Sequence, residues 1–225
     1  MLDAIHLSKP SCMKKIIGLI GIIVWAQMGF SQQHFGVKAG FNMAWQKQQY
    51  YASSVFSNGW KPDIRTLAGY EAGFFYHTPL AEHWILSAEA NFSSRGSKTQ
   101  DAVYVDGQLY VNGQLYAIGP KQYTTTRLFY LDIPLFIQYK VHRFKVGAGL
   151  NAGLLIKSRT SFRDLDLPGK YRTFDAGIGL LAGYQLARRW EVDLRYYHGL
   201  TDIYPVDAAT ARNRFANFSL LYTLK

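Results

Sequence analysis

The sequence is poor in cysteine and in long hydrophobic runs. Cys12 is the only cysteine among 225 residues, and it precedes the first apolar stretch. A disulfide framework is therefore excluded. Cys12 cannot carry a lipid anchor either, because the cysteine of a lipoprotein follows the apolar run of its signal. After Ser31 the chain has no run of about eighteen apolar residues, which excludes a membrane-spanning helix from that part.

The first 31 residues predict a signal peptide rather than part of the fold. Met13–Lys15 is basic, Ile16–Met28 is an apolar run, and small and polar residues follow in Gly29–Gln32. This order is typical of a secretory signal cleaved after Ser31. Signal peptides begin with their basic residues, so the twelve residues before Met13 are interpreted as a misassigned start. The domain prediction is a signal peptide at 1–31 and one folded domain at 32–225.

The strongest structural signal lies between Leu128 and Ile156. On either side of a tight turn at Val141–Arg143, every second residue is apolar, which predicts two strands with one apolar face each. The opposite faces carry Asp132, Gln138, Lys145 and Asn151, together with glycines and a proline. Each apolar face is about ten residues long, enough to cross a hydrocarbon layer when tilted. An apolar outside and a polar inside are typical of a transmembrane barrel.

The same alternation recurs along the rest of the chain. It predicts eight strands, at His34–Trp45, Thr66–Thr78, Trp84–Ser97, Leu128–Lys140, Phe144–Ile156, Arg172–Leu186, Trp190–Leu200 and Asn213–Leu224. The connections alternate strictly between long and short, as they do in outer-membrane barrels with long outer loops and short periplasmic turns. The predicted fold is therefore all-β: an eight-stranded antiparallel transmembrane β-barrel, an up-and-down meander of the outer-membrane type. Both termini are expected in the periplasm and the long loops outside the cell.

Six segments carry a family resemblance that extends over nearly all of the chain after residue 31. They are FGVKAGFN, AEANFSSRGSK, YLDIPLFIQYK, VGAGLNAGLLIK, FDAGIGLLAGY and LRYYHGLTDI. In this order and spacing, the chain resembles the PorT-like "porin family" outer-membrane barrels of Bacteroidetes. The resemblance implies insertion by the barrel assembly machinery and, by analogy with PorT, a role beside a secretion apparatus. The chain departs from the family pattern at its end, where Leu224 and Lys225 replace the usual terminal aromatic residue.

Strand parity predicts which charged side chains face the lumen. Four are basic and six acidic: Lys38, Arg95, Lys145 and Arg195, with Glu71, Glu89, Asp132, Asp175, Glu191 and Asp193. The bore of an eight-stranded barrel is only wide enough for side chains to fill it. The sequence therefore favours a lumen plugged by ion pairs over the alternative, a narrow, weakly cation-preferring pore for small solutes.

Aromatic and basic residues predict contacts at the two rims. Trp84 and Trp190 follow short turns and are expected to form an aromatic girdle at the periplasmic interface. The third long loop is basic and is expected to contact lipopolysaccharide phosphates or to be plainly solvated; its cations are Lys157, Arg159, Arg163, Lys170 and Arg172. In the second long loop, Asp106–Gly107 and Asn112–Gly113 predict hairpin turns, with a binding platform as the alternative.

The sequence offers no sign of catalysis. His34, His77, His83, His142 and His198 lack metal-ligand spacing, and no nucleophile is paired with a base. No enzyme, metal or cofactor is therefore expected. The formal charge of +10 could indicate nucleic acid, but export and the lack of a basic helix argue against it. The expected role is structural or secretion-accessory, with a passive porin as one alternative and a soluble lipocalin-like ligand-binding barrel as the other.

Overall fold

The computed structural model describes residues 33–50, 63–100, 104–105, 108–111, 114–118, 123–162, 165–167, 169–204 and 209–224. The signal peptide predicted at residues 1–31 lies outside these residues and stays a prediction. Within the described part of the chain, no helix is long and apolar enough to span a membrane.

Eight antiparallel strands form a closed ring, which confirms the predicted fold. In ring order they are β1 (His34–Tyr50), β2 (Ile64–Pro79), β3 (Trp84–Gln100), β7 (Tyr123–Val141), β8 (Phe144–Phe162), β10 (Phe174–Gln185), β11 (Trp190–Gly199) and β12 (Ala209–Thr223). Each strand pairs with the next in the chain, as in a meander. The ring is closed by β12 and β1, which pair from Gly36 with Thr223 to Tyr50 with Ala209. Closure leaves the barrel without an edge strand, as lipid requires of a spanning sheet.

The two ends of the barrel differ in their connections. At one end, here called the turn end, residues 80–83, His142–Arg143 and residues 186–189 join neighbouring strands. His142 has a φ of 55°, the left-handed conformation on which tight hairpin turns depend. The first and last residues of the ring also lie here, since Gly36 pairs with Thr223. The strand ends that flank the long connections lie at the opposite end, the loop end.

The outward face is apolar over a broad belt. Large hydrophobic side chains are exposed on every strand of the ring, among them Phe41, Phe74, Phe92, Leu135, Leu150, Leu180, Leu194 and Phe218. Monomeric soluble proteins rarely expose a continuous apolar surface of this kind. The inward face is polar and buried, as the alternation predicts. This inside-out arrangement is that of a barrel surrounded by lipid.

Several strands extend further at the loop end than the sequence predicts. β7 and β8 have 19 residues each, and β1 and β3 have 17. Lys157 and Arg159 consequently lie in β8 and pair with Phe129 and Arg127, instead of lying in a loop. Neither face of these extensions is uniformly apolar, so the alternation that marks a strand in the sequence is lost there.

Proline in a closed barrel removes a ladder hydrogen bond, and Pro134 does so without a bulge. β3 and β7 keep one register on both sides of it, pairing Ala88 with Leu135 and Asn91 with Asp132, and the pairing is interrupted between them. The register shift of β7 lies elsewhere, between Phe129 and Tyr130 on its β8 side. The β3–β7 ladder is therefore interrupted at Pro134 while the register of the two strands is kept.

Four short strands lie outside the ring. β4 (Tyr104–Val105), β5 (Gln108–Val111) and β6 (Gln114–Ile118) form a separate antiparallel sheet. Val105 pairs with Gln108 and Val111 with Gln114, so two-residue connections fall at 106–107 and 112–113, where hairpin turns are predicted. The turn residues themselves lie outside the described part. β9 (Leu165–Leu167) pairs with the end of β8.

Candidate functional site: the barrel lumen

The lumen contains all ten charged side chains that strand parity assigns to it. All of them are buried except Glu191, whose side chain is 20% exposed. They separate into two groups along the barrel axis. The turn-end cluster consists of Lys38, Glu71, Glu89, Lys145, Glu191, Asp193 and Arg195. The loop-end cluster consists of Arg95, Asp132 and Asp175.

Arg195 and Glu89 form the centre of the turn-end cluster. The two side chains meet across the lumen from β11 and β3 in a bidentate pair, with Nη1–Oε2 and Nη2–Oε1 distances of 2.8 and 2.6 Å. Paired parallel hydrogen bonds of this kind are among the strongest that side chains form. Glu89 also accepts a hydrogen bond from Lys38 Nζ at 2.9 Å. Lys38 in turn contacts Glu71.

The cluster continues on the other side of Arg195. Its Nη2 lies 2.6 Å from Asp193 Oδ2, and the other oxygen of Asp193 lies 3.2 Å from Lys145 Nζ. Lys145 contacts Glu191. The seven side chains therefore form one unbroken chain of alternating sign: Glu71, Lys38, Glu89, Arg195, Asp193, Lys145, Glu191. Each base lies between two acids, so every consecutive contact is attractive.

The loop-end cluster is centred on one arginine. Arg95 Nη2 lies 2.5 Å from Asp132, and Nη1 lies 3.5 Å from Asp175. Its guanidinium carbon is 4.0 Å from the centre of the Tyr130 ring, a cation–π contact. Neutral donors satisfy the remaining oxygens. Ser93 and Asn151 donate to Asp132, and Asn213 donates to Asp175 at 2.8 Å.

Acids exceed bases by one in each cluster. In the turn-end cluster four carboxylates face three cations, and in the loop-end cluster two face one. Burying charge away from water is costly unless partners and hydrogen bonds compensate it. Here the compensation comes from cations on both sides of an acid and from amide and hydroxyl donors. The burial of each charged side chain is therefore stabilised by the charged side chains next to it.

An apolar plug at the loop end is the part of the lumen that strand parity missed. Leu128, Tyr130, Ile203 and Ala211 form a buried cluster against which Leu155, Tyr171 and Tyr204 pack. Ile203 belongs to the segment that follows β11, and it is fully buried. Ile203 lies outside any alternating run of apolar and polar residues, so no periodic pattern predicted its burial.

Residues 200–204, here called the strap, follow β11. Hydrogen bonds hold the strap over the loop-end opening of the barrel. The Thr201 hydroxyl donates to Asp175 Oδ1 at 2.8 Å and accepts from the Ala176 amide at 2.8 Å. Asp202 Oδ1 accepts from the amides of Tyr204 and Ala211. The Ile203 amide donates to the Ala211 carbonyl at 2.9 Å. The strap thus ties the loop-end cluster to β12.

A small cavity remains between the two charged clusters. It measures about 30 Å³ and is lined by residues that include Asn91, Asn151, Asp132, Phe136 and Arg195. Asn91 Oδ1, Asn151 Oδ1 and Arg195 Nε are buried without hydrogen-bond partners. Two acceptors and one donor match a water molecule, for which the volume is sufficient. The cavity is too small for a solute.

The predicted girdle tryptophans lie on the outside at the turn end. Trp84 packs edge-on against Tyr139 with ring centres 5.1 Å apart, and Trp190 packs against Tyr222 at 4.7 Å. All four rings are on the outward face. This is the position that aromatic side chains take at a membrane interface.

The predicted basic loop is not one cluster. Lys157, Arg159, Lys170 and Arg172 are exposed, but Arg159 is paired with Asp166 at 2.8 Å. Arg163 lies outside the described residues. The histidines are likewise dispersed, and among the described residues no group of three or more His, Cys, Asp or Glu side chains is placed to hold a metal ion.

Several solved structures of bacterial proteins are similar to this chain. A structural neighbour is the Neisserial surface protein A, with 14% identity, a TM-score of 0.45, and coverage of 84% of this chain and 97% of that one. Another is OprG of Pseudomonas aeruginosa, with 13% identity, a TM-score of 0.44, and coverage of 85% and 95%. A third is the attachment invasion locus protein Ail of Yersinia pestis, with 10% identity, a TM-score of 0.40, and coverage of 85% and 99%.

The sequence comparison decides the family. No curated protein sequence matches the chain. The model of the family described as "outer membrane protein beta-barrel domain" matches residues 25–204, which is most of the chain. This match agrees with the closed ring of strands and the apolar outward face, and it leaves the soluble lipocalin-like alternative without support. The chain therefore belongs to the outer membrane protein beta-barrel domain family and is a protein of the outer membrane.

Proposed function

We propose that this protein is a non-enzymatic outer-membrane barrel with a closed lumen, acting as a structural or secretion-accessory component. The observation that carries the proposal is the unbroken chain of alternating charges from Glu71 to Glu191. Its members come from β1, β2, β3, β8 and β11, so the chain extends across the bore. The resemblance to PorT-like barrels of Bacteroidetes supports the secretion-accessory role.

A passive porin would need a continuous water path. In this lumen the path meets two barriers: the turn-end cluster, whose charges are paired with one another across the bore, and the apolar plug around Ile203. An ion entering from either end would have to displace a partner from a buried pair or push aside the strap. Removing one partner of such a pair costs about 3–5 kcal/mol. These two barriers in the described part of the lumen argue against the porin alternative.

The proposed orientation has the loop end outside the cell and the turn end, with both termini, in the periplasm. The strict alternation of long and short connections supports it. In this orientation Trp84 and Trp190 lie at the periplasmic interface, and Lys157, Lys170 and Arg172 face the lipopolysaccharide. The signal peptide at 1–31 would direct export, and the barrel assembly machinery would insert the chain.

Cysteine labelling tests the orientation directly. Cys12 is the only natural cysteine and lies within the proposed signal peptide. After cleavage of that peptide, a single introduced cysteine would be the only thiol available for labelling. Lys98 is exposed in β3 at the loop end, and Arg188 is exposed in a turn-end connection. A membrane-impermeant maleimide applied to whole cells should label Lys98→Cys and not Arg188→Cys. Labelling of Arg188→Cys alone would reverse the proposed orientation.

Single-channel recording tests the closed lumen. Purified protein in planar bilayers should show no steady conductance. Arg195→Ala with Glu89→Ala removes the centre of the charge chain, and adding Ile203→Gly loosens the strap; conductance should rise most in the triple variant. The matched control is Arg159→Ala with Asp166→Ala, which removes an exposed pair and should change nothing. Stable channels in the unmodified protein would favour the porin alternative instead.

A deletion strain tests the role. If the protein serves secretion, its loss should deplete specific proteins from the culture medium while uptake of small solutes stays unchanged. Restoring the gene with the Arg159→Ala, Asp166→Ala control should restore export. Reduced uptake of small solutes with normal export would contradict the proposal.

A further inference from the structure

Four basic side chains gather on the outward face at the loop end. They are Lys47 on β1, Arg212 and Arg214 on β12, and His198 on β11, and together they are called the basic face. Lys47 is the direct cross-strand partner of Arg212. Arg214 lies opposite Trp45 on one side and opposite His198 on the other. The three strands are adjacent in the ring, so the four side chains share one patch of surface.

Two other cations of this rim have acidic partners, whereas the basic face combines cations that are unpaired among the described residues with direct cross-strand pairing of its members. Arg65 lies 3.3 Å from Asp63, and Arg159 lies 2.8 Å from Asp166. In the part of the chain that the structure describes, no member of the basic face has an ion pair. The Nε of Arg214 is buried and has no hydrogen-bond partner. Like charges directly opposite each other on neighbouring strands are destabilising, so this patch gains from an anion that covers it.

The layers beneath the basic face follow the profile of a membrane. Lowest is the apolar belt, where the rings of Phe41 and Phe218 lie 5.8 Å apart. Above it, the ring centres of Trp45 and Tyr196 lie 6.2 Å apart, over the β12 strand that separates β1 from β11. The basic face comes next along the same strands. Hydrocarbon, aromatic ring and cation thus succeed one another in the order of acyl chain, interface and phosphate.

We propose that the basic face binds the phosphate groups of lipopolysaccharide, with the acyl chains of the same molecule against the apolar belt below. Arginine matches phosphate oxygens with paired hydrogen bonds, and lysine adds a point charge. The continuity of cations with the belt favours a lipid over a free anion, because a ligand with both phosphate and acyl chains contacts all three layers. The choice of lipopolysaccharide rests on the proposed orientation, which brings the loop end to the outer leaflet.

The test is a binding titration of the full-length folded protein in detergent micelles. The probes are diphosphoryl lipid A, the same lipid with its phosphates removed, and inorganic phosphate. The triple variant removes three charges through Lys47→Gln, Arg212→Gln and Arg214→Gln. It should bind diphosphoryl lipid A at least about tenfold more weakly than the unmodified protein. A factor of about ten corresponds to the loss of one net hydrogen bond. The matched control, Arg143→Gln with Arg188→Gln and Arg189→Gln, removes three charges at the turn end and should stay within about twofold of the unmodified affinity.

Each other outcome decides against the proposal. Equal affinity for the dephosphorylated lipid would show that the apolar belt alone holds it. Competition by inorganic phosphate at similar concentrations would make the patch a site for small anions. Equal weakening in the control would reduce the effect to net charge. Should the triple variant not fold, the exposed single changes Lys47→Gln and Arg212→Gln replace it, and each must weaken binding by itself. Binding in detergent depends on neither conductance nor orientation, so its failure is distinct from failure of the closed-lumen proposal.

Discussion

Replacing Arg195 with methionine should destabilise the barrel far more than replacing an exposed arginine at the turn end. Arg195 holds Glu89 through two hydrogen bonds and Asp193 through a third, and all three side chains are buried. Without it, the turn-end cluster would contain two cations and four carboxylates, doubling its excess negative charge. Breaking a buried pair by removing one partner costs about 3–5 kcal/mol. We expect a loss of that size in the free energy of unfolding.

A second substitution should return part of the loss. Glu89→Gln added to Arg195→Met leaves two cations and three carboxylates, which is the natural excess of one. Lys38 keeps Glu71 as a partner, and Asp193 keeps Lys145. The double variant should therefore be more stable than Arg195→Met alone, with a coupling energy of about 1–3 kcal/mol between the two sites.

Urea unfolding of the folded barrel in lipid vesicles, followed by tryptophan fluorescence, measures these energies. The difference in migration between boiled and unboiled samples reports how much barrel is folded. Arg188→Met removes an exposed cation at the turn end and should stay within about 0.5 kcal/mol of the unmodified protein. Single-variant losses that simply add in the double variant would refute the idea that these charges hold one another.

Two further perturbations address the lipid face and the loop-end plug. Leu180→Arg places a charge in the middle of the belt, where the side chain is 62% exposed, and should lower the free energy of unfolding in vesicles by about 2–4 kcal/mol. Leu200→Arg, on the same face near the rim, should lower it by at most about 1 kcal/mol. Equal losses would mean that the belt is not in hydrocarbon. Ile203→Ala should lower the free energy of unfolding by about 2–4 kcal/mol because the side chain is fully buried, whereas Leu200→Ala, 51% exposed, should have little effect. A neutral Ile203→Ala would show that the strap does not pack as described.

The alternation of side chains made the membrane part of the fold predictable. Within the belt each strand has one face in lipid and the other in a polar lumen, so residues such as Leu135 and Gln138 reveal their side by parity alone. Outside the belt this contrast vanishes. Thr124 to Thr126 and Ser158 to Phe162 belong to β7 and β8, yet neither face of them is uniformly apolar. The alternation of side chains therefore could not predict where the long strands end.

The partners inside the lumen could not be derived in the same way. Parity places Arg195 and Arg95 inside but does not say which acid each one meets. That depends on strand tilt and on how far neighbouring strands are shifted against one another. Arg95 meets Asp132 on the adjacent strand, whereas Arg195 meets Glu89 across the bore. The basic face was missed for a related reason, because Lys47 and Arg212 are far apart in sequence and only the closing pairing brings them together.

That closing pairing also determines when the barrel can form. β1 cannot pair with β12 until β12, the last strand of the ring, has been placed. Fifteen residue pairs must then form between these two strands. Before that moment both terminal strands have an unpaired backbone edge, and in hydrocarbon each unpaired group costs several kcal/mol. Contacts this distant in sequence also form slowly. An incomplete chain therefore cannot rest in the bilayer as a smaller barrel, and the open edges have to be kept from lipid and from other chains until β12 is in place.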